Sequence, residues 1–226
     1  MKVNEIFYSL QGEGRLVGVP SVFVRLAGCP LRCRWCDTKY ALSESAGRDY
    51  SIEELKAEVL RYPSRHLVVT GGEPLVAEGV GEMLGLFSES GMHITIETSG
   101  IKFLPDLSCD LMSISPKLAN STPAESQHAI EHEKHRFDIE ALQALIDNYD
   151  YQLKFVVDKP ADLDEIAECI EQLNNINPYK IYLMPQAKTK QELIDKSQML
   201  AKFCLQTGFA LSQRLHVLLW EGEKGK

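Results

Sequence analysis

The sequence predicts an α/β fold in which six strand–helix units build a partial barrel, and three observations support this class. Short β-type segments alternate with longer helical segments, which is the pattern of a parallel sheet covered by helices. The 226 residues allow one compact domain, residues 1–226, and are too few for two full enzyme domains, while six units are too few for a closed eight-unit barrel. Finally, most strands have one polar and one apolar face, as expected around a ligand-binding interior.

The individual elements follow from the hydrophobic pattern in chain order. The predicted strands are Ser21–Ala27, His66–Thr70, His93–Glu97, Asp110–Ser115, Tyr151–Val157 and Lys180–Met184. The predicted helices are Ser51–Arg61, Val80–Ser90, Phe137–Asn148, Leu163–Leu173 and Gln191–Gln206. Ser51 and Glu54 form a capping box that opens the first helix. Arg214–Trp220 is a candidate for one more strand at the edge, and a short polar tail, Glu221–Lys226, follows it.

The strand faces predict a binding lumen. The face assigned to the interior carries the polar residues Arg25, Thr70, Thr95, Glu97, Ser113, Ser115, Gln152 and Lys154, whereas the opposite face is apolar. A barrel with only a structural role fills its interior with branched aliphatic side chains. Because buried polar groups cost free energy unless a partner satisfies them, we expect this interior to hold a ligand at the carboxyl ends of the strands.

Arg25 is the most informative inward residue, because it lies in the middle of the first predicted strand. A buried guanidinium favours a planar carboxylate, which it can bind in a bidentate fork. A substrate carboxylate is the preferred partner in this interpretation. The alternative is a structural ion pair with an inward glutamate such as Glu97.

Composition excludes several classes of function. The net charge of −8 argues against nucleic acid as the main partner, because backbone phosphates require clustered lysine and arginine. No apolar run approaches the length needed to span a bilayer, and the first residues do not read as a signal peptide. The six cysteines do not form a secreted disulfide framework and indicate a reducing cytoplasm. A small-molecule substrate is therefore expected.

The loop of residues 28–38 carries the strongest chemical signal. Cys29, Cys33 and Cys36 have a C-x3-C-x2-C spacing, and thiolates suit zinc or iron–sulfur clusters. A closed site needs four ligands, so three cysteines on a four-iron cluster leave one iron open to bind something else. Three alternatives remain: a zinc knuckle lacking a ligand, a cluster with a distant fourth ligand, and three unrelated buried thiols.

Glycine-containing motifs follow or precede several strands. Leu10-Gln11-Gly12-Glu13-Gly14 precedes the first predicted strand, and Thr70-Gly71-Gly72-Glu73-Pro74 ends the second. Glycines permit close approach of the backbone to a ligand, and the Gln11 and Glu13 side chains suit the edge of a heterocycle. Glu97-Thr98-Ser99-Gly100 and Ser113-Ile114-Ser115-Pro116-Lys117 end the next two strands. Each motif alone is also compatible with an ordinary turn.

Taken together, the motifs resemble those of the radical S-adenosylmethionine (SAM) superfamily. The cysteine spacing, with Trp35 before the third cysteine, and the GGEP sequence carry this resemblance. It implies that the open iron binds SAM and that SAM is cleaved to a 5′-deoxyadenosyl radical. QGEG, Arg25 and Cys36-Asp37-Thr38 resemble the 7-carboxy-7-deazaguanine synthase family more specifically, over essentially the whole chain.

That resemblance implies a carbon–nitrogen lyase of queuosine and 7-deazapurine biosynthesis, a tRNA modification pathway. The implied reaction converts 6-carboxy-5,6,7,8-tetrahydropterin to 7-carboxy-7-deazaguanine, with loss of ammonia, by a radical ring contraction in a partial (βα)6 barrel. The implied cofactors are a [4Fe-4S] cluster, SAM and Mg2+. A homodimer and a protein reductant such as flavodoxin are implied as well.

The resemblance also assigns residues to roles. The implied cluster ligands are Cys29, Cys33 and Cys36. Arg25 is implied to bind the substrate carboxylate and Thr38 to bind Mg2+, although Asp37-Thr38 could instead cap a helix. The other implied substrate contacts are Leu10, Gln11, Gly12, Glu13 and Thr70. The implied SAM contacts are Trp35, Asp37, Gly71, Gly72, Glu73, Glu97, Ser113, Ser115, Lys117, Gln152 and Lys154.

Two other functions and one segment stay open at this point. A glycyl-radical-enzyme activase has the same cysteine spacing but needs an open peptide-docking face, and a non-catalytic iron–sulfur or zinc module needs no substrate pocket. The family pattern assigns no role to His128, His132 and His135. In a helix these histidines would share one face and could bind a second metal, but a solvated helix or loop is the preferred interpretation.

Overall fold

A computed structural model of the chain describes residues 1–124, 127–221, 223 and 225. Within these ranges one open sheet contains nine strands in the order β3-β1-β2-β4-β5-β6-β7-β8-β9. The strands are β1 Lys2–Leu10, β2 Pro20–Leu26, β3 Arg48–Asp49, β4 His66–Gly71, β5 His93–Thr98, β6 Leu111–Ile114, β7 Tyr151–Val157, β8 Ile181–Pro185 and β9 Ala210–Leu211. Gly222, Lys224 and Lys226 of the expected polar tail lie outside the described residues.

The six strands predicted from the sequence are all present and all parallel. They are β2, β4, β5, β6, β7 and β8, which are neighbours in this order. This confirms the α/β class with a partial, unclosed barrel. The two strands at one edge of the sheet, β1 and β3, were not predicted. Strand β1 runs antiparallel to β2, and β3 runs antiparallel to β1. Polar and apolar residues are mixed along β1, so its period-two signal is weak.

The chain also forms seven α-helices within the described ranges, most of which cover the outer face of the sheet. Their bounds are α1 Ile52–Val59, α2 Val80–Glu89, α3 Gln127–His135, α4 Ile139–Asn148, α5 Asp162–Glu171, α6 Lys190–Thr207 and α7 Leu215–Trp220. The Ser51/Glu54 capping box of α1 is formed as predicted. The strand expected at Arg214–Trp220 is wrong, because this short apolar run is the helix α7 and packs through Val217 against Ala187 and Leu193. The edge position beside β8 belongs to β9.

The two faces of the sheet have opposite chemistry. Outward side chains such as Val24, Leu67 and Leu153 are fully buried beneath the helices in one continuous core. The inward face buries polar side chains, among them Ser113, Gln152 and Lys154. These polar groups are compensated by one another and by the loop before β2, so the interior is stable without being apolar. In the described part of the chain, no helix combines the length and apolarity required for crossing a membrane.

The apolar outer layer can be tested at Phe155 of β7, whose side chain is 0% exposed. We expect Phe155→Ala to lower the free energy of unfolding by about 3–5 kcal/mol, because it leaves a cavity under the helices. Leu205 of α6 is 88% exposed and provides the control, since Leu205→Ala should change the free energy by less than about 0.5 kcal/mol. Chemical denaturation measures both values. Equal effects would show that Phe155 is not part of the core.

Candidate active site

One cavity of about 320 Å³ opens at the carboxyl ends of the parallel strands. Its walls come from β1, the loop before β2, the cysteine loop, the ends of β4 to β8 and the C-terminal segment. The predicted site residues in its lining are Leu10, Gln11, Gly12, Glu13, Arg25, Cys29, Cys33, Trp35, Cys36, Asp37, Thr38, Thr70, Gly71, Gly72, Glu73, Glu97, Ser115, Lys117 and Lys154. The topology therefore brings nearly all predicted site residues into one place.

The cysteine loop is fixed to its surroundings by backbone hydrogen bonds. The backbone N–H of Cys29 donates to the carbonyl of Leu42, and that of Arg34 donates to the carbonyl of Ser121, at 3.1 and 2.8 Å. The indole N–H of Trp35 donates to the carbonyl of Asn120 at 3.1 Å. The loop is therefore shaped by its neighbours on both sides, and its three thiols are presented to one cavity.

The donor set fits an iron–sulfur cluster better than a single ion. In the described ranges, no group of three or more histidine, cysteine or acidic side chains converges closely enough to hold one metal ion. A multi-iron cluster takes one thiolate per iron, so its three ligands need not converge on a point. Burial raises the pKa of the Cys29 thiol to about 12 and that of Cys33 to about 11. Binding of iron must therefore displace their protons.

The GGEP loop packs directly against the cysteine loop. The backbone N–H of Glu73 donates to the carbonyl oxygen of Gly28 at 2.8 Å. A Cβ atom on Gly72 would lie 1.7 Å from that same oxygen, so only glycine fits there. The Glu73 carboxylate accepts hydrogen bonds from Thr98 Oγ1 at 2.5 Å and from the backbone N–H of Ser99 at 2.7 Å. Glu73 thereby joins the ends of β4 and β5.

A buried lysine organises the floor of the cavity. Lys154 is 1% exposed, and its Nζ donates to Glu97 Oε2 at 2.6 Å and to Glu13 Oε2 at 2.9 Å. Burial alone would raise the pKa of Glu13, but Lys154 and Arg214 hold it well below its usual value. Burial alone would lower the pKa of Lys154, but the two carboxylates raise it. Glu13 and Lys154 are thus both charged at neutral pH.

Two predicted contacts lie beneath this floor instead of in the cavity lining. Gln152 Nε2 donates to Ser113 Oγ at 2.8 Å, and Ser113 Oγ donates to Glu97 Oε2 at 2.9 Å. Gln11 approaches Glu97 from the other side, with its Nε2 donating to Oε1 at 3.1 Å. Ser113 and Gln152 therefore support Glu97, and the cavity wall further up is formed by Ser115 and Lys117.

Arg25 has a protein partner that the sequence did not reveal. Its Nε donates to Glu5 Oε1 at 2.6 Å, because Glu5 is the cross-strand neighbour of Arg25 in the β1–β2 pair. The structural ion pair with a glutamate, which the sequence left open as the alternative, is therefore formed, with Glu5 instead of Glu97. The guanidinium lies over the Phe7 ring at 5.5 Å from its centroid, and the Tyr40 hydroxyl donates to the same Glu5 oxygen. Burial raises the pKa of Tyr40 to about 12, so its hydroxyl stays protonated.

The segment after Cys36 does not act as a side-chain cap. Thr38 precedes a short 3-10 turn, Lys39–Ala41, but its side chain makes no capping hydrogen bond. Its hydroxyl lies 3.6 Å from Cys36 Sγ and faces the cavity. The Asp37 carboxylate instead accepts a hydrogen bond from Arg214 Nη2 at 2.8 Å.

Sequence reasoning missed the C-terminal wall of the cavity. Arg214 connects Asp37 with Glu13, and its Nη1 donates to the carbonyl of Ala187 at 2.7 Å. His216 lies against Gly12, where a Cβ would be 2.3 Å from its Nδ1, and burial lowers its pKa. Arg214 and His216, on either side of Leu215, could have indicated a polar contribution to the site. The segment Arg214–Trp220 was interpreted as an edge strand instead.

A lumen at the carboxyl ends of parallel strands, with three cysteine thiols beside a Gly-Gly turn, defines the class of protein. Residues 24–185 match the radical SAM superfamily, and the chain belongs to it. The superfamily uses a [4Fe-4S] cluster and SAM. All six cysteines lie in the described ranges and are free, so no disulfide forms among them.

Relatives define the family within this class. The chain is 40% identical to the 7-carboxy-7-deazaguanine synthase of Halobacterium salinarum, covering 97% of this chain and 90% of that protein. It is 38% identical to the synthase of Rhodopirellula baltica, covering 99% and 88%. The crystal structure of QueE from Escherichia coli superposes with a TM-score of 0.73 at 28% identity, covering 95% and 94% of the two chains. The chain belongs to the 7-carboxy-7-deazaguanine synthase family of radical SAM lyases.

The contact between the two loops can be tested at Gly72. We expect Gly72→Ala to lower the free energy of unfolding by about 1–3 kcal/mol, because the added methyl group displaces the Gly28 carbonyl. The reconstituted variant should also hold less iron per chain. A methyl group added at Gly85 in α2 would meet no atom within 4 Å, so Gly85→Ala should be neutral or slightly stabilising. Chemical denaturation measures the free energy of unfolding, and iron analysis measures the iron content per chain. Equal values for Gly72→Ala and Gly85→Ala would contradict the close contact between the two loops.

Proposed function

We propose that this chain converts 6-carboxy-5,6,7,8-tetrahydropterin to 7-carboxy-7-deazaguanine and ammonia by radical ring contraction. The observation that carries the proposal is a single cavity lined by the cysteine loop on one side and by Arg25 and the QGEG loop on the other. When bound, the cluster and SAM supply a carbon radical able to abstract a hydrogen atom from the substrate. The protein residues then bind the substrate, orient it and exclude water from the cavity.

Arg25 is the proposed ligand of the substrate carboxylate. Glu5 contacts the Nε side of the guanidinium, and the two terminal nitrogens have the geometry for a two-point contact with a carboxylate. The Phe7 ring lies against the guanidinium, and Tyr40 holds the Glu5 carboxylate that pairs with it. Thr70 is the register neighbour of Arg25 on β4 and lines the same wall, which supports its role as a second contact.

The loop before β2 is the proposed binding surface for the pterin ring. Leu10 and the backbone of Gly12 line the cavity, while the Gln11 amide and the Glu13 carboxylate are held in place by Glu97 and Lys154. Held side chains present fixed hydrogen-bonding atoms, and this favours one orientation of a planar heterocycle. His216 faces this loop from the opposite side and is neutral at physiological pH, so its ring can stack on or hydrogen bond to the substrate.

SAM is proposed to lie between the cysteine loop and the strand ends. Gly72 brings the backbone close to Cys29, Gly71 lies against Leu26, and the wall beside them is formed by Trp35, Ser115 and Lys117. Lys117 lies over the Trp35 ring and donates to Ser115 Oγ at 2.9 Å. Because Glu73 is engaged by β5 residues, its part in SAM binding is proposed to be shaping of the Gly71-Gly72 turn.

Mg2+ is proposed to bind at Thr38. The threonine hydroxyl faces the cavity beside Cys36, and a hard cation prefers oxygen ligands, with substrate oxygens and water completing its shell. Asp37 is engaged by Arg214, which leaves the hydroxyl of Thr38 as the oxygen donor at this point of the wall. The further proposals, carried by the family resemblance, are a homodimer, a reductant such as flavodoxin and a cytoplasmic location.

Anaerobic turnover tests the proposed reaction. The reconstituted protein with SAM, Mg2+, reductant and 6-carboxytetrahydropterin should form 7-carboxy-7-deazaguanine, detected by mass and absorbance. Cys33→Ala should abolish both product formation and SAM cleavage, because it removes a cluster ligand. Cleavage of SAM to 5′-deoxyadenosine without product would refute the proposed substrate while retaining the radical class.

Substitution of Arg25 tests the substrate contact. We expect Arg25→Gln to reduce kcat/KM for the pterin by about 10- to 100-fold, mainly through KM, because a charged hydrogen bond is lost. Cleavage of SAM without the pterin should be unchanged. Arg61 forms an exposed pair with Glu58, and Arg61→Gln is the matched control. An unchanged KM in Arg25→Gln would contradict the role of Arg25.

A further inference from the structure

His132 lies in α3, in the histidine-rich segment to which the family pattern assigns no role. The side chain is 1% exposed, whereas His128 and His135 of the same helix are exposed. No second metal site is formed in the described part of the chain. The preferred prediction of a solvated segment is also wrong for this residue. Its imidazole ring is buried against the cysteine loop.

Both ring nitrogens of His132 have partners. Nδ1 accepts a hydrogen bond from the backbone N–H of Arg32 at 3.1 Å, and Nε2 lies 2.8 Å from Ser121 Oγ. Ser121 Oγ already donates its proton to the carbonyl of Leu118 at 2.6 Å. Nε2 must therefore carry the proton and donate to Ser121, which leaves Nδ1 as an acceptor for Arg32. Burial lowers the pKa of His132, in agreement with a neutral ring.

The two residues anchor the cysteine loop on both sides of Cys33. His132 binds the backbone N–H of Arg32, and the Ser121 carbonyl accepts a hydrogen bond from the N–H of Arg34 at 2.8 Å. Arg136, the residue after α3, fixes the end of this helix to the segment after β6, because its Nη1 donates to the carbonyl of Lys117 at 2.7 Å. Two hydrogen bonds therefore hold the backbone around Cys33, one from His132 of α3 and one from the carbonyl of Ser121.

We propose that His132 is a positioning residue for the cluster, holding the backbone of Cys33 through the Arg32 amide so that the loop keeps its ligand geometry. The proposal rests on cluster binding by the three cysteines and not on the identity of the substrate. Without His132, the Arg32 N–H loses its acceptor and the loop segment between Cys29 and Cys33 gains freedom. The cluster should then be lost more easily.

Two substitutions at one position separate this role from simple packing. In His132→Asn the amide oxygen occupies roughly the place of Nδ1 and can accept from Arg32. In His132→Gln the amide reaches the place of Nε2 and leaves the Arg32 N–H without its partner. His135 is exposed on the same helix, and His135→Ala is the matched control.

The first readout is the rate at which reconstituted protein releases iron to a chelator under anaerobic conditions. We expect His132→Gln to release iron roughly tenfold faster than the parent, and His132→Asn and His135→Ala to stay within about twofold. The second readout is amide hydrogen exchange over residues 29–36 of the apoprotein, which should accelerate in His132→Gln alone. Neither readout requires turnover, so a failure here is distinct from a failure of the proposed reaction.

Three outcomes would overturn the proposal. Parent-like iron release and exchange in His132→Gln would show that the Arg32 hydrogen bond does not hold the loop. Equal loss in His132→Asn and His132→Gln would indicate that ring packing alone matters. If His132→Gln does not fold, His132→Leu carries the test, because leucine fills the space of the ring and offers no acceptor to the Arg32 N–H. Faster iron release in His132→Leu than in His132→Asn would support the proposal, and equal rates would refute it.

Discussion

The ion pairs of Lys154 with Glu13 and Glu97 are the interaction on which the polar interior depends. Transfer of three charged groups out of water is costly, and only their close mutual contact offsets the cost. The contact also has a geometric effect, because it connects β5, β7 and the loop before β2 at one point. Loss of the ammonium would leave the Glu97 carboxylate without this counter-charge and Glu13 with Arg214 alone, so Lys154 couples the loop to the sheet.

Neutral hydrogen bonds fix the other side of the cavity, where Cys29, Cys33 and Cys36 lie. Backbone groups of the cysteine loop are held by the GGEP turn at Gly28 and by the turn that contains Asn120 and Ser121. Both turns follow parallel strands, so the sheet fixes the loop from two directions. The wall around Arg25 and Lys154 is charged and the wall around the cysteines is largely backbone, which agrees with the proposed binding of a carboxylate-bearing substrate on one side and of a metal cluster on the other.

The sequence predicted the parallel strands and most of the cavity lining, because inward and outward residues alternate with period two and motifs follow strand ends. It could not identify Glu5 as the partner of Arg25, since that contact depends on antiparallel register with a strand of mixed pattern. Gln152 was predicted on the correct face of the sheet, but it lies below the cavity and supports Ser113. The pattern of alternating faces does not show how far along a strand the cavity reaches. Arg214–Trp220 was ambiguous because a short apolar run has no clear period.

The contributors to the cavity extend from Phe7 to Gly225, and this distribution has a consequence for biosynthesis. Glu13 meets Lys154 141 residues later and Arg214 201 residues later. On the ribosome, the three thiols emerge long before the walls that enclose them, because contacts this distant in sequence form late. The cavity is completed only when the C-terminal segment has folded back. The cysteine loop therefore passes through a stage in which its thiols are not yet enclosed by these walls.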